Sequence, residues 1–168
     1  MPEQGQYVNY TAQGICRVEG IESLKFGDGK ARDYYLLRPV NQPESSVYLP
    51  VDNPDLLAKL HPILSKEEID QIILSVRQDS IPWVSDFRER EEQFSAILTR
   101  RDERELLLLI GCLLLREEEG THRLSSGDQQ TLRKAQRIVA EEFSFSLHLP
   151  ADQIDDYIRE KLNITRQG

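Results

Sequence analysis

The chain has 168 residues, a formal net charge of -8, a sequence pI of about 5.0, and 39% hydrophobic against 30% charged side chains. Those values describe a folded chain able to bury a core, and they exclude a surface that binds polyanions everywhere, so any nucleic-acid contact must be local. Two distant cysteines, Cys16 and Cys112, with no CxxC pair, argue against a disulfide framework or a cysteine zinc site and fit a reducing compartment.

The N-terminus, MPEQGQYVNY, lacks the basic and apolar regions of a signal peptide. Residues 7 to 50 then read as four short strands: YVNY, GICRVEGIESL, KARDYYLLRPV and SSVYLP. Between the second and third, Phe26-Gly27-Asp28-Gly29-Lys30 offers the Asp-Gly chemistry of a tight hairpin. The expectation is a small twisted barrel or sheet over residues 1–52. From residue 51 the texture changes to prolines and short helical pieces, so 53–85 reads as a helical junction. Its clearest signal is Ser65-Lys66-Glu67-Glu68 ahead of Ile69, Ile72, Ile73 and Val76, a capping box before an apolar stripe. Beyond Trp83 the periodicity predicts helices over 86–99, 102–119, 126–147 and 151–162, an all-α domain at 86–168. Asp102 with Glu105 opens the second of these helices, and Ser126 with Gln129 the third. Gly120 and Gly127 suit a helix end and a turn. The run LLLLIGCLLL at 106–115 is about half the length a membrane span needs and reads as a buried core helix.

Charge by segment is five basic and six acidic side chains in 1–50, three and six in 51–85, and thirteen and seventeen in 86–168. No segment is net basic, yet the helical part clusters its cations at Arg88 and Arg90, at Arg100, Arg101 and Arg104, at Arg116 and Arg123, and at Arg133, Lys134 and Arg137. Leu132, Ala135, Val139 and Phe143 share one face of the third long helix, which turns Arg133, Lys134 and Arg137 outward with Gln130. Ordinary surface pairing and phosphate contact are both open readings of this set. A catalytic constellation does not emerge. His61, His122 and His148 are isolated from metal-ligand spacings, Gly27-Asp28-Gly29 lacks the lysine and helix of a phosphate loop, and Cys16 has no histidine near it in sequence. Glu117-Glu118-Glu119 reads as a solvated helix end. Trp83, the single tryptophan, either clamps the junction near Phe87 or presents its indole to a base step.

The order of these pieces resembles the bacterial CarD and CdnL regulators, whose N-terminal module is shared with transcription-repair coupling factor. Gly5 to Tyr10 followed by Gln13 to Glu22 resembles the module's opening, and Tyr34-Tyr35-Leu36-Leu37 with Val47 to Asn53 its later strands. Trp83, Arg88, Arg90, Leu98, the apolar helix ending in Arg116, Leu124-Ser125, Leu132, Ala135 and Glu142 continue the likeness. The resemblance implies an α+β chain of two domains, a Tudor-like or SH3-like barrel followed by an all-α domain, with no catalysis, cofactor, metal or small-molecule substrate. It implies a cytoplasmic transcription regulator whose barrel adds its strand edge to the β subunit of RNA polymerase, through Lys25, Tyr35, Tyr48, Leu49 and Pro50. It further implies that the helical domain meets promoter DNA in the minor groove without sequence specificity, through Trp83, Arg88, Arg90, Arg123, Arg133, Lys134 and Arg137, stabilising the open complex. Leu24, with Lys25 beside it, and Tyr48 stand where the family often carries basic side chains, which implies a polymerase-facing surface that is more apolar or rearranged. Two rivals remain at this stage: an adaptor that binds its partner without DNA, and an enzyme with a pocket the sequence does not advertise.

Overall fold

A computed structural model describes residues 2–11, 13–27, 29–118 and 123–164. Asp28 of the expected hairpin turn, Glu119 and Gly120 at the expected helix end, and His122 lie outside the described residues. The chain divides into two compact units, residues 1–63 and 64–168.

The first unit is built on alternation. In β1 (Tyr7–Tyr10) Val8 and Tyr10 point inward, and in β3 (Arg32–Pro39) Tyr35, Leu37 and Pro39 do so, the period-two pattern of a sheet with one covered face. Long β2 (Gly14–Leu24) begins at Gly14, whose φ of +77° a side chain would resist. Its register with β3 slips between Val18 and Gly20, the latter at φ +142°, a bulge that bends the strand. With β4 (Val47–Pro50) and β5 (Leu60–Pro62) these strands form one antiparallel sheet in the order β4-β3-β2-β1-β5. The sheet thus ends at β4 on one side and β5 on the other. Its core gathers Val8, Tyr10, Cys16, Val18, Tyr35, Leu37 and Leu49, with Leu56 and Leu57 of the short α1 (Pro54–Leu57) packed against it.

The stretch 53–85 is divided between the units. Leu60–Pro62 pairs with β1 and so joins the sheet, while α2 (Lys66–Val76) sends Ile69, Ile73 and Val76 into the helical core. Strand β5 escapes sequence reading because three residues, the last a proline, carry too little alternation to register. At the head of α2 the capping box is present, the Ser65 hydroxyl accepting from the Glu68 N–H and the Glu68 carboxylate from the Ser65 N–H.

The helices that follow are α3 (Phe87–Arg100), α4 (Glu103–Glu118), α5 (Ser126–Leu147) and α6 (Ile154–Leu162), with a tight 3-10 turn, Ala151–Gln153, entering the last. The bounds of α3, α4 and α5 lie within a residue of those the periodicity predicts, and the predicted 151–162 is the 3-10 turn followed by α6, which starts three residues later. One cap shifts: Ser125 accepts from the Asp128 N–H, so Ser125 and not Ser126 opens α5. Helix α4 is apolar on nearly every side, with Leu106, Leu107, Leu109, Ile110, Leu113 and Leu114 buried, because α2, α3 and α5 all pack on it. Helix α6 is tied to α2 where the Tyr157 hydroxyl donates to Asp70, with Lys161 also 3.9 Å from that carboxylate. None of the described helices is long and apolar enough to cross a membrane.

Candidate functional site

In the helical unit the feature around Trp83 begins with a helix start. Asp86 caps α3 by accepting from the Glu89 N–H at 3.0 Å, and one turn later Arg90 reaches back toward the incoming chain. Its guanidinium donates to the carbonyls of Val84 at 3.0 Å and Ser85 at 3.4 Å, and to Asp128 of α5 at 3.3 Å. Both charges are buried, Arg90 being 8% and Asp128 6% exposed. A buried cation needs this kind of partner set, since removing it from water without one costs several kcal/mol. The flat of the guanidinium is then used on aromatics: it lies 4.6 Å from the Trp83 ring centre and 5.6 Å from that of Phe87. A second guanidinium, Arg116 at the end of α4, lies 3.7 Å from the Trp83 ring centre. Phe94 meets the indole edge to face at 6.4 Å. Trp83 is therefore part-buried on the helical core and clasped by cation–π contacts.

In the sheet unit the outer strand β4 supplies the comparable feature. The Val51 N–H donates to the Asp33 carbonyl, so in the antiparallel alternation the backbone of Leu49 and Val47 also faces β3, while that of Tyr48 and Pro50 faces away from it. Tyr48 offers a donor and an acceptor there, and Pro50 an acceptor alone. Beside this edge Phe26, Tyr34 and Tyr48 stack edge to face with ring centres 5.2 to 6.5 Å apart, and Phe26 is 57% and Tyr48 41% exposed.

Residues 3–63 match the family model of the CarD-like/TRCF RID domain. The N-terminal unit is a CarD-like/TRCF RID domain. The match ends where the first compact unit ends. A search of curated proteins finds no match to the chain.

Within the RID domain, the five residues expected at a partner surface separate. Lys25 and Tyr48 are exposed and Pro50 is part-exposed. Tyr35 and Leu49 are not surface residues: each is 1% exposed and belongs to the core. They pair with each other across β3 and β4 and point to the covered face, one residue out of phase with Tyr34 and Tyr48. Phe26 and Tyr34 are the further aromatics beside this edge; the signal for Tyr34 is the same alternation that buries Tyr35, whereas Phe26 lies in the β2–β3 loop, where no period marks it.

Of the cations expected to face DNA, Arg88, Arg123, Arg133, Lys134 and Arg137 are exposed, and among the described residues none has a carboxylate within 4.0 Å. Arg133 and Arg137 line an open depression between α5 and α6 that also holds Asp152 and Asp155. Arg90 is corrected: it is enclosed and neutralised by Asp128, so it holds Trp83 and does not face solvent. Arg100 and Arg104 are also committed, to Glu105 and Asp79, the latter carboxyl held below its ordinary range by the Arg104 hydrogen bond. Arg116 was missed as a partner of the indole, and nothing in its sequence position singled it out.

Neither cysteine is activated. Burial pushes the Cys16 thiol up to about 11, and Cys112 is also raised by burial, only partly opposed by Arg116. Both stay protonated, hence poor nucleophiles, near neutral pH. Among the described residues no three His, Cys, Asp or Glu side chains converge as a metal set.

Proposed function

We propose that the chain is a bacterial, cytoplasmic transcription regulator that binds the β subunit of RNA polymerase through its RID domain and stabilises the open promoter complex through its helical unit. The observation that carries this reading is the RID match over residues 3–63, together with an outer strand whose backbone at Tyr48 and Pro50 is available for pairing. In this reading the sheet is a Tudor-like or SH3-like barrel, and a polymerase strand adds to β4, main-chain hydrogen bonds giving affinity and the Phe26, Tyr34 and Tyr48 rings giving selectivity.

The DNA half of the reading rests on Trp83. An indole pinned by Arg90 and Arg116 loses little further freedom when it enters a minor groove, and a wedge costs least where the duplex already frays, so it favours melted over closed promoter. Exposed Arg88, Arg123, Arg133, Lys134 and Arg137 meet phosphates without reading bases. Tethering by polymerase raises the local concentration enough for an acidic chain to work as a weak DNA binder.

The test is the lifetime of open complexes with Trp83→Ala. Polymerase binding stays near wild type and the melting temperature falls without loss of the fold, while lifetime falls about tenfold, the scale of one lost base-step contact. A collapsed melting temperature with unchanged lifetime would assign Trp83 to packing alone. A second reading, an adaptor that never touches DNA, is favoured by the ion pairs that commit Arg90, Arg100, Arg104 and Arg159. Arg133→Glu with Arg137→Glu separates the two: loss of about two units from the salt slope supports phosphate contact, and salt-independent binding supports the adaptor.

A further inference from the structure

Arg133 and Arg137 stand one turn apart on the outer face of α5, both exposed, and among the described residues neither has a carboxylate within 4.0 Å. Two cations at this spacing repel each other, and no ion pair relieves them, although the chain carries 29 acidic against 21 basic side chains. The depression they line holds two acids, Asp152 and Asp155. Asp155 is already engaged: the Gln136 amide donates to one of its oxygens at 2.7 Å and Arg159 to the other at 2.8 Å. Asp152, in the 3-10 turn before α6, is exposed and has no cation within 4.0 Å among the described residues. The lining between these charges includes Ala140, Ile154 and Ile158, and because both isoleucines are buried they form an apolar floor. The depression has a volume of about 380 Å³, within the range of small-molecule sites.

Each part of this surface asks for a different part of one ligand. Two guanidinium forks carry more donors than one carboxylate edge accepts, whereas a phosphate offers three strong acceptor oxygens to both. A carboxylate only accepts, so Asp152 needs donors from the ligand, and the hydroxyl pair of a ribose supplies two. The apolar floor then takes the flat of a base. We propose that this depression is a ribonucleotide site, with the phosphates on Arg133 and Arg137, the ribose on Asp152 and the base over Ile154 and Ile158. The reading above turns the same two arginines toward DNA phosphates. The inference stands apart from it, because a free nucleotide needs no DNA to bind.

The full chain is titrated calorimetrically at low salt with ADP, 2′-deoxy-ADP, adenosine and inorganic diphosphate. ADP binds tightest, since it alone meets both arginines, the floor and Asp152 with a complete ribose. Arg133→Gln and Arg137→Gln each weaken ADP about tenfold, the scale of a lost charge-assisted hydrogen bond. Arg77→Gln removes the same charge from the exposed end of α2 and leaves ADP binding unchanged. Asp152→Ala abolishes the preference for ADP over 2′-deoxy-ADP. All four positions are exposed, so the melting temperature holds and the comparison reads binding alone. If inorganic diphosphate binds as tightly as ADP, the arginines hold a bare anion and the nucleotide assignment is overturned. If Arg77→Gln weakens ADP as much as Arg137→Gln, the attraction is diffuse charge and the depression is no site. Failure of ADP to bind also overturns the inference, and leaves the DNA reading to stand or fall on its own salt slope.

Discussion

The two units solve the problem of presenting aromatic groups in opposite ways. In the RID domain the core cluster is wholly uncharged, and Tyr34 and Tyr48 reach the surface simply because alternate residues of a strand leave by the other face, with Phe26 of the β2–β3 loop meeting them edge to face. In the helical unit an ion pair is sunk into the interior, and Trp83 and Phe87 are aimed by it. Among the described residues the three buried charged ones, Arg90, Asp128 and Glu142, belong to the helices. A sheet face orients side chains by its own geometry; an irregular segment such as residues 80–85 has no such geometry and must borrow a fixed point. Arg90, bonded to Val84 and Ser85 as well as Asp128, is that point.

The largest expected effect tests this contrast directly. Asp128→Ala strands the Arg90 charge in a buried site and costs about 3–5 kcal/mol of helical-unit stability, whereas Leu37→Ala in the RID core costs about 2–5 kcal/mol by opening a cavity. The costs overlap, but their recovery differs. Adding Arg90→Met to Asp128→Leu returns much of the stability, since a buried pair replaced by apolar groups is often near neutral. It does not return the wild-type emission of Trp83, which has lost a guanidinium from its face. Denaturant titration followed by tryptophan emission reads both quantities. Recovery of stability and emission together would mean the pair serves the fold alone.

Alkaline pH probes the two units through different groups. Cys16 in the RID core rises from 9.0 to about 11, and Tyr157 in the helical unit from 10.0 to about 12, through burial first and the Asp70 hydrogen bond second. In each case the folded state keeps a proton that the unfolded chain gives up, so stability is complete below the unfolded value and is lost as pH rises through the folded one. The RID domain therefore weakens between about pH 9 and 11, by about 3 kcal/mol for the Cys16 shift, and the helical unit about one pH unit later. Amide exchange resolved by unit measures the offset. Cys16→Ala removes the slope in the RID domain, and Tyr157→Phe that in the helices; simultaneous loss in both units with either variant would refute independent alkaline behaviour.

Much of this organisation was legible in the sequence because it follows from periodicity. Helices α3 to α6 and four of five strands come from spacing alone, and the stripe of Leu132, Ala135, Val139 and Phe143 is buried as read. What the resemblance implied and the structure corrects could be read from position. Arg90 sits three residues after Phe87, four before Phe94 and seven before Ile97, on the face that enters the core; Asp128 sits four before Leu132, on the same stripe of α5. An acid and a base each standing on an apolar stripe is a readable sign of a buried pair. Tyr35 and Leu49, which the resemblance implies at the partner surface, are inside because they share the covered face with Leu37. Arg116 lay beyond reach, since contact between the end of α4 and the segment before α3 is set by tertiary packing.

The smallest effect concerns where the helical unit begins. Ser65 is the first capping residue after the boundary at residue 63, and its side chain and that of Glu68 each satisfy the other's backbone N–H. Ser65→Ala removes one acceptor from an exposed helix start, so the cost is about 1 kcal/mol. It falls on α2, whose Ile69 and Ile73 are fully buried against the helical core, and thus on the helical unit's melting rather than the RID domain's. Glu68→Ala removes the reciprocal bond and costs less, because the N–H it leaves, that of exposed Ser65, can turn to water. Unit-resolved amide exchange on both variants reads the result. Equal loss in the sheet would mean that α2 stabilises the RID domain as well, and the division at residue 63 would no longer mark two independently folding parts.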